Sequence, residues 1–239
     1  MKTIRFSNSV LKHIALLTMI VDHIGNAFFP TNLILRIIGR CSFVIFCFLL
    51  VEGALHTHSR LKYFLRLLLF AVVSIVPYSL FVYNVWLCTS QFNIFFVLSL
   101  SVAMISLFDY VKRFKLCTLL QIVVLLLFSF LGVLFCLDYF FLGFLLIATF
   151  YLLRDKKVLI ILSFFISSLL LYPLYYYLFE HQSLPISIAI GVIESCGFVA
   201  LFFIMNSSGE RGWQLPKLFY YAFYPLHFLI IWLIKTYFI

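Results

Sequence analysis

Charge is scarce in this chain. Lys, Arg, Asp and Glu together make up 10% of its 239 residues, against about 25% in an ordinary soluble domain. A chain with so few charges cannot keep a folded surface wet, which excludes a water-soluble enzyme. No loop is long enough to hold a soluble module, and there is no internal repeat and no low-complexity linker. Gly/Pro-broken helix pairs of the kind transporters use are not expected either. The six cysteines, Cys41, Cys47, Cys88, Cys117, Cys136 and Cys196, stand singly in apolar surroundings without CxxC or metal-ligand spacing. They read as small packing residues. His56 and His58, at i and i+2 with no further ligand nearby, do not make a metal site, and no metal is expected. No cleavable signal peptide is expected, because the run from Leu11 to Phe29 is too long, too polar at its centre and lacks a small-residue cleavage site.

What is abundant is apolar surface. Hydrophobic residues are 65% and aromatics 20% of the chain, and the mean hydropathy is +1.17. This predicts an all-α integral membrane protein, since a lipid-facing backbone must satisfy its hydrogen bonds internally. Helix-length apolar segments fall at 11–29, 33–55, 62–83, 92–109, 114–136, 138–153, 158–178, 185–206 and 217–238. The expectation is one polytopic domain, 1–239, with about nine transmembrane helices. The break at Leu137-Asp138 divides an otherwise nearly continuous apolar stretch. The net charge of +9 points to topology rather than to nucleic acid. With the N-terminus in the cytoplasm, all but three of the 17 Lys and Arg fall on the cytoplasmic side. The exceptions are Arg36 and Arg40 inside the second segment and Lys235 near the C-terminus. The opposite turns carry no Lys or Arg, a nearly pure positive-inside bias. Tyr78, Tyr83, Trp86, the tyrosines from 172 to 177 and Trp213 sit where an aromatic belt belongs.

Against that background Asp22 and His23 stand out in the middle of the first segment. A charge near the centre of a membrane helix costs at least ~2.5 kcal/mol, so such a pair lines a cavity, pairs with something or does chemistry. His23 lies roughly 9 Å and Arg40 roughly 10 Å inside the outer ends of their segments. The connecting turn is short, so the two helices are antiparallel neighbours. Arg36 and Arg40 are one turn apart on one face. A cluster of Asp22, His23 and Arg40 with Arg36 above it follows. One reading is a structural ion pair that joins two helices. The other is a reactive site, because His23 is not needed for charge balance. Neighbours at i and i+1 do not face each other on a helix, so Asp22 neutralises Arg40 and leaves His23 as the base, a side chain whose ordinary pKa is near neutral. Lys12 and His23, eleven residues apart, share a face over roughly 16 Å. That stripe suits a ligand with an anionic head and a thin reactive arm, such as an acyl-coenzyme A. Lys12 as a snorkelling interface anchor is the alternative.

The cytoplasmic ends add Glu52-Gly53, His56, His58, Arg60, Lys62 and Arg66. Between the last two segments lies Ser208-Gly209-Glu210-Arg211-Gly212, where two glycines around an acid–base dipeptide suit a tight exposed turn and Arg211 suits bidentate phosphate binding. Glu194 and His227 also lie at membrane depth, each readable as an interhelical bond. Pro225, just before His227, frees backbone groups that suit a polar pocket.

The stretches LKHIALLTMIVDHIG (11–25), LRIIGRCSFVIFCFLLVEGALHTHSRLKYFLRLLLFAVVSIVPY (35–78), NIFFVLSLS (93–101), GERG (209–212) and FYPLHFLI (223–230) resemble, in the same order, the TraX family. These are the pilin acetylation proteins of F-type conjugation systems. One departure is Val44, where the family pattern carries a proline. The family is in turn similar to transmembrane acyltransferases with a basic residue ten positions before an essential histidine, and Lys12-x10-His23 has nearly that arrangement. The resemblance implies a bacterial inner-membrane enzyme that takes acetyl from cytoplasmic acetyl-CoA and passes it to the N-terminal amine of a pilin. His23 is then the general base, and Arg40 with Arg36 stabilises the thioester oxyanion, Asp22 beside them. Lys12, Arg60, Arg66 and Arg211, with His56 and Glu210 from the same segments, hold the nucleotide end of coenzyme A. A sugar hydroxyl of a surface glycan serves the same chemistry as acceptor. A non-catalytic transport or assembly protein, with Asp22, His23 and Arg40 as a relay or structural cluster, is the third reading.

Overall fold

A computed structural model describes residues 5–238. Among these residues the regular structure is helical, apart from two isolated β-bridges. In chain order the helices are α1 (Asn8–Phe28), α2 (Leu33–His56), α3 (Arg60–Val73), α4 (Ile75–Tyr83), α5 (Ile94–Val111), α6 (Cys117–Leu134) and α7 (Phe140–Leu152). They are followed by α8 (Lys157–Ile166), α9 (Tyr172–Leu178), α10 (Leu184–Ser195), α11 (Val199–Met205) and α12 (Lys217–Tyr237). Each of the nine apolar segments is helical. Among the described residues, six helical stretches are long and apolar enough to cross a membrane: Leu33–His56, Ile94–Val111, Cys117–Leu134, Lys157–Leu178, Leu184–Met205 and Lys217–Tyr237. The pair α3 and α4 makes a seventh if its arms, bent by 43°, form one span. The other two segments are α7, apolar but 13 residues long, and α1, whose 21 residues include Lys12, His13, Asp22 and His23.

Three of the segments are interrupted, against the expectation of unbroken helices. The bend between α3 and α4 falls at Ser74, three residues before Pro77, whose missing N–H leaves the carbonyl one turn back without its helical partner. A π-helical turn, Ser167–Leu171, joins α8 to α9 just before Pro173. There Ser168 Oγ donates to Phe164 O at 2.9 Å, so the hydroxyl satisfies a backbone acceptor where the ladder is disturbed. A 3₁₀ turn, Cys196–Phe198, joins α10 to α11.

The chain falls into two compact units, Met1–Leu49 with Leu152–Gln214, and Leu50–Tyr151 with Leu215–Ile239. In the first, Ser7 caps α1 by accepting from Val10 N–H. The residues before it zip onto the loop after α11. Phe6 N–H donates to Asn206 O (2.9 Å), Ser208 N–H to Phe6 O (2.8 Å) and Asn8 N–H to Glu210 O (2.8 Å). In the second unit α3 packs along α5, and α12 along α4. Asn93 joins the first pair: it caps α5 by accepting from Phe95 N–H at 3.1 Å and donates to Ala71 O of α3 at 2.9 Å. It is fully buried, which its satisfied polar groups permit. Phe92 ties the start of α5 to the α6–α7 turn, donating to Cys136 O and accepting from Asp138 N–H. That turn is the break expected at Leu137-Asp138.

Candidate active site

The α1–α2 hairpin turns in four residues. Asn32 N–H donates to Phe29 O, and the Asn32 side chain accepts from Ile34 N–H at 3.1 Å, which supplies the start of α2 with a cap. Glycine then sets how closely the arms approach. A Cβ at Gly25 would sit 2.6 Å from Leu35 Cβ, and one at Gly39 would overlap the Asp22 side chain. Only with glycine at 39 does the Asp22 carboxylate reach the face of α2 that carries the arginines.

Both arginines meet it. Arg36 NH1 lies 3.0 Å from Asp22 Oδ1, and Arg40 NH2 lies 3.0 Å from each carboxylate oxygen. Arg40 is held on two further sides. Its Nε donates to Arg36 O at 3.3 Å, and its NH1 donates to Glu194 Oε1 of α10 at 2.6 Å. Two guanidiniums therefore face two carboxylates, and the fixed charges balance without His23. Balance matters here because an unpaired buried charge costs several kcal/mol.

Exposure separates the members. The Arg40 side chain is 8% exposed, that of His23 18% and that of Arg36 33%. His23 Nε2 is 3.9 Å from Asp22 Oδ2, too long for a hydrogen bond, as their adjacency on one helix requires. The result is a buried ionic frame, Asp22–Arg40–Glu194, with an imidazole and a second guanidinium at its more accessible edge. Such an edge can accept a proton and stabilise a developing oxyanion. Glu194 was readable from the sequence as an interhelical bond, and the structure supplies its partner, Arg40. The signal was present as charge arithmetic: two arginines at membrane depth need two acids, and Glu194 lies at a comparable depth.

Toward the start of α1, Lys12 Nζ donates to Gln214 Oε1 at 3.1 Å, and Ser9 Oγ donates to Trp213 O. The His13 and Trp213 rings lie nearly parallel, with centroids 6.3 Å apart. Glu210 and Arg211 form the exposed tip of this loop. Gly209 and Gly212 flank them at φ +70° and +64°, the left-handed backbone that a tight turn between two glycines predicts.

His56, Arg60 and Arg66 belong to the second unit. His56 is exposed, its Nδ1 2.8 Å from Glu52 O. Arg60 donates from NH1 to Asp109 Oδ2 at 2.6 Å and from Nε to Ala54 O at 3.0 Å. Lys112 Nζ reaches Asp109 Oδ1 at 2.7 Å and Tyr151 OH at 2.9 Å, and Tyr151 OH donates to Asp109 as well. This knot joins the ends of α3, α5 and α7. Asp109 holds the Lys112 ammonium above the ordinary lysine range. The sequence did not anticipate a structural partner for Arg60. Arg66 lies over the Tyr221 ring, 5.7 Å from its centroid. His227 is buried among Phe223, Tyr224 and Phe228, with Nδ1 3.0 Å from Phe223 O. A carbonyl only accepts, so Nδ1 carries the hydrogen there.

Over 82 residues the chain is 38% identical to the "Probable fimbrial assembly protein FimC, serogroup H1" of Dichelobacter nodosus. That match covers 33% of this chain and 34% of the relative. No solved structure matches the chain. The family described as "TraX protein" matches residues 7–235. A match that runs through nearly every helix, and takes in the Asp22–Arg40–Glu194 frame, makes this chain a member of the TraX family.

Proposed function

We propose that this protein is a membrane-embedded acetyltransferase of pilus maturation, moving acetyl from acetyl-CoA to the N-terminal amine of a pilin or other fimbrial subunit. One observation carries the reading: a partly exposed His23 beside an ionic cluster of Asp22, Glu194, Arg36 and Arg40 that is already neutral without the imidazole. Membership of the TraX family, with its expectation of pilin acetylation, supports the chemistry. Likeness to a fimbrial assembly protein over a third of the chain supports the pilus as its setting.

In the proposed reaction the amine nitrogen attacks the thioester carbonyl carbon. His23 removes the amine proton, the C–S bond breaks, and the coenzyme A thiolate leaves and takes a proton. Arg36 faces the oxyanion. Arg40 was its partner in that role on sequence grounds, but its Nε, NH1 and NH2 are engaged with Arg36 O, Glu194 and Asp22. Its part in this scheme is to hold the frame. Lys12 and Arg211 serve the anionic end of acetyl-CoA. The scheme takes the nine segments as spans of a single domain in the inner membrane, N-terminus in the cytoplasm, as the basic residues favour.

The test is the intact mass of pilin or fimbrial subunits from cells with the gene, without it, and with His23→Ala in its place. The mass of one acetyl group at the subunit N-terminus, present only with the intact gene, is the expected result. Subunits of identical mass in all three strains exclude the pilin acceptor and leave a surface glycan hydroxyl as the substrate to examine.

A further inference from the structure

We propose that Glu194 is a positioning residue: through Arg40 it holds Asp22, and so fixes where Arg36 and His23 stand relative to each other. The kinetic part of this proposal rests on the acetyl-transfer reading; the rest does not.

Glu194 stands in the last turn of α10, directly before the 3₁₀ turn Cys196–Phe198. Gly197 in that turn is what lets this chain segment meet α2. A Cβ there would lie 3.1 Å from Arg40 O and 3.1 Å from Val44 Cγ2, tight contacts that a larger residue would have to relieve. Gly39 does the same for α1, since a Cβ there would overlap Asp22. Two glycines thus bring three helices together at one guanidinium, and the irregular turn after Glu194 delivers its carboxylate to Arg40 NH1 at 2.6 Å.

Asp22 shares its two oxygens between Arg36 and Arg40. That sharing is stable only because Arg40 has a second acid. Without the Glu194 charge, the cluster carries one net positive charge in a poorly hydrated place, and Arg40 draws the Asp22 carboxylate to itself. Arg36 then loses its anchor at Oδ1, while His23, on the same turn of α1 as Asp22, is displaced with it. Buried pairs also behave in a recognisable way. Removing one partner is costly, whereas removing both is often nearly neutral.

The experiment uses full-length protein in detergent, as wild type, Arg40→Gln, Glu194→Gln and the double variant. Each single variant should lower Tm by roughly 5–10 °C, and the double should recover more than half of the larger loss. Simply additive losses overturn the coupling. The second readout is the rate at which diethyl pyrocarbonate modifies His23, followed by peptide mass with exposed His58 as the internal reference. Glu194→Gln should change that rate by about threefold or more. An unchanged rate in a folded variant overturns the positioning role. In acetyl transfer, Glu194→Gln should lower kcat with KM for acetyl-CoA held. A raised KM with kcat held means that Glu194 binds the donor instead, and overturns the proposal. If the wild type transfers no acetyl group, the proposed function fails, and the Tm cycle and His23 labelling still decide the role of Glu194.

Discussion

Gly39 and Asp22 occupy complementary space: the carboxylate of Asp22 lies where a side chain at position 39 would begin. Placing alanine at 39 gains about 1 kcal/mol of helix propensity. It also displaces a carboxylate engaged by two arginines, and disturbing such a buried pair costs about 3–5 kcal/mol. The second effect wins. Gly39→Ala should lower the Tm of the detergent-solubilised protein and its abundance in membranes. A Tm at or above that of wild type would contradict the close approach of α1 and α2.

The two arginines should behave differently. Arg40→Gln leaves Asp22 and Glu194 short of a cation in a buried place, so the steady-state level of the protein should fall. Arg36→Gln, at a more exposed position, should preserve that level. Its turnover should fall by roughly 10²–10³-fold, the usual effect of removing an oxyanion donor. Immunoblots of membranes and acetyl transfer by equal amounts of protein separate the two. The reverse pattern would exchange the roles assigned to Arg36 and Arg40.

His23→Ala should abolish transfer while the protein accumulates normally, because His23 takes no part in the charge balance of the frame. A protein that disappears together with its activity would mark His23 as structural.

Arg211→Ala is expected to raise KM for acetyl-CoA and leave kcat near wild type, the signature of lost uniform binding. Arg211 stands at the exposed tip of its loop, and the zipper formed by Phe6, Asn8 and Ser208 uses backbone groups that the substitution leaves in place. A fall in kcat alone would remove Arg211 from the donor site.

The cysteines test the topology. Ser90 hydrogen-bonds the Cys88 sulfur and holds its thiol below the ordinary range, so the reactive thiolate forms at lower pH than for an unperturbed cysteine. A membrane-impermeant maleimide applied to spheroplasts should label Cys88, and more slowly the exposed Cys136, at the faces assigned to the outside. Cys117 should label only after permeabilisation, and buried Cys47 only after denaturation. Early labelling of Cys117 would reverse the proposed orientation.

Much of this architecture was legible because membrane helices are written in long apolar runs, and each of the nine segments is helical. The Asp22–Arg36–Arg40 cluster was legible for a related reason. The turn after Phe29 is too short to do anything but place α2 against α1, and position along a helix then fixes depth. Interruptions were not legible. The π turn before Pro173 and the 3₁₀ turn at Gly197 depend on what packs against them, as when Gly191 meets Ser168 O and Pro173. Such packing is not carried by hydropathy. Glu194 was readable as half of an interhelical bond but not as the partner of Arg40, because pairing across 154 positions is a property of the fold. Arg60 shows the converse. A basic residue at a helix end reads equally as an anion-binding group or as half of an ion pair, and only Asp109 in space distinguishes them.

The reach of the Arg40–Glu194 bond has a consequence for biosynthesis. At about 5–20 residues per second, the ribosome needs roughly 8–30 s after making Arg40 to make its second acid. Throughout that interval the α1–α2 hairpin carries two arginines of the cluster, Arg36 and Arg40, and one of its acids, Asp22. The residues that the scheme gives the chemistry are among the first to be translated, yet their frame closes only when α10 is inserted. A nascent chain arrested before Leu184 therefore holds an unmatched cation in lipid.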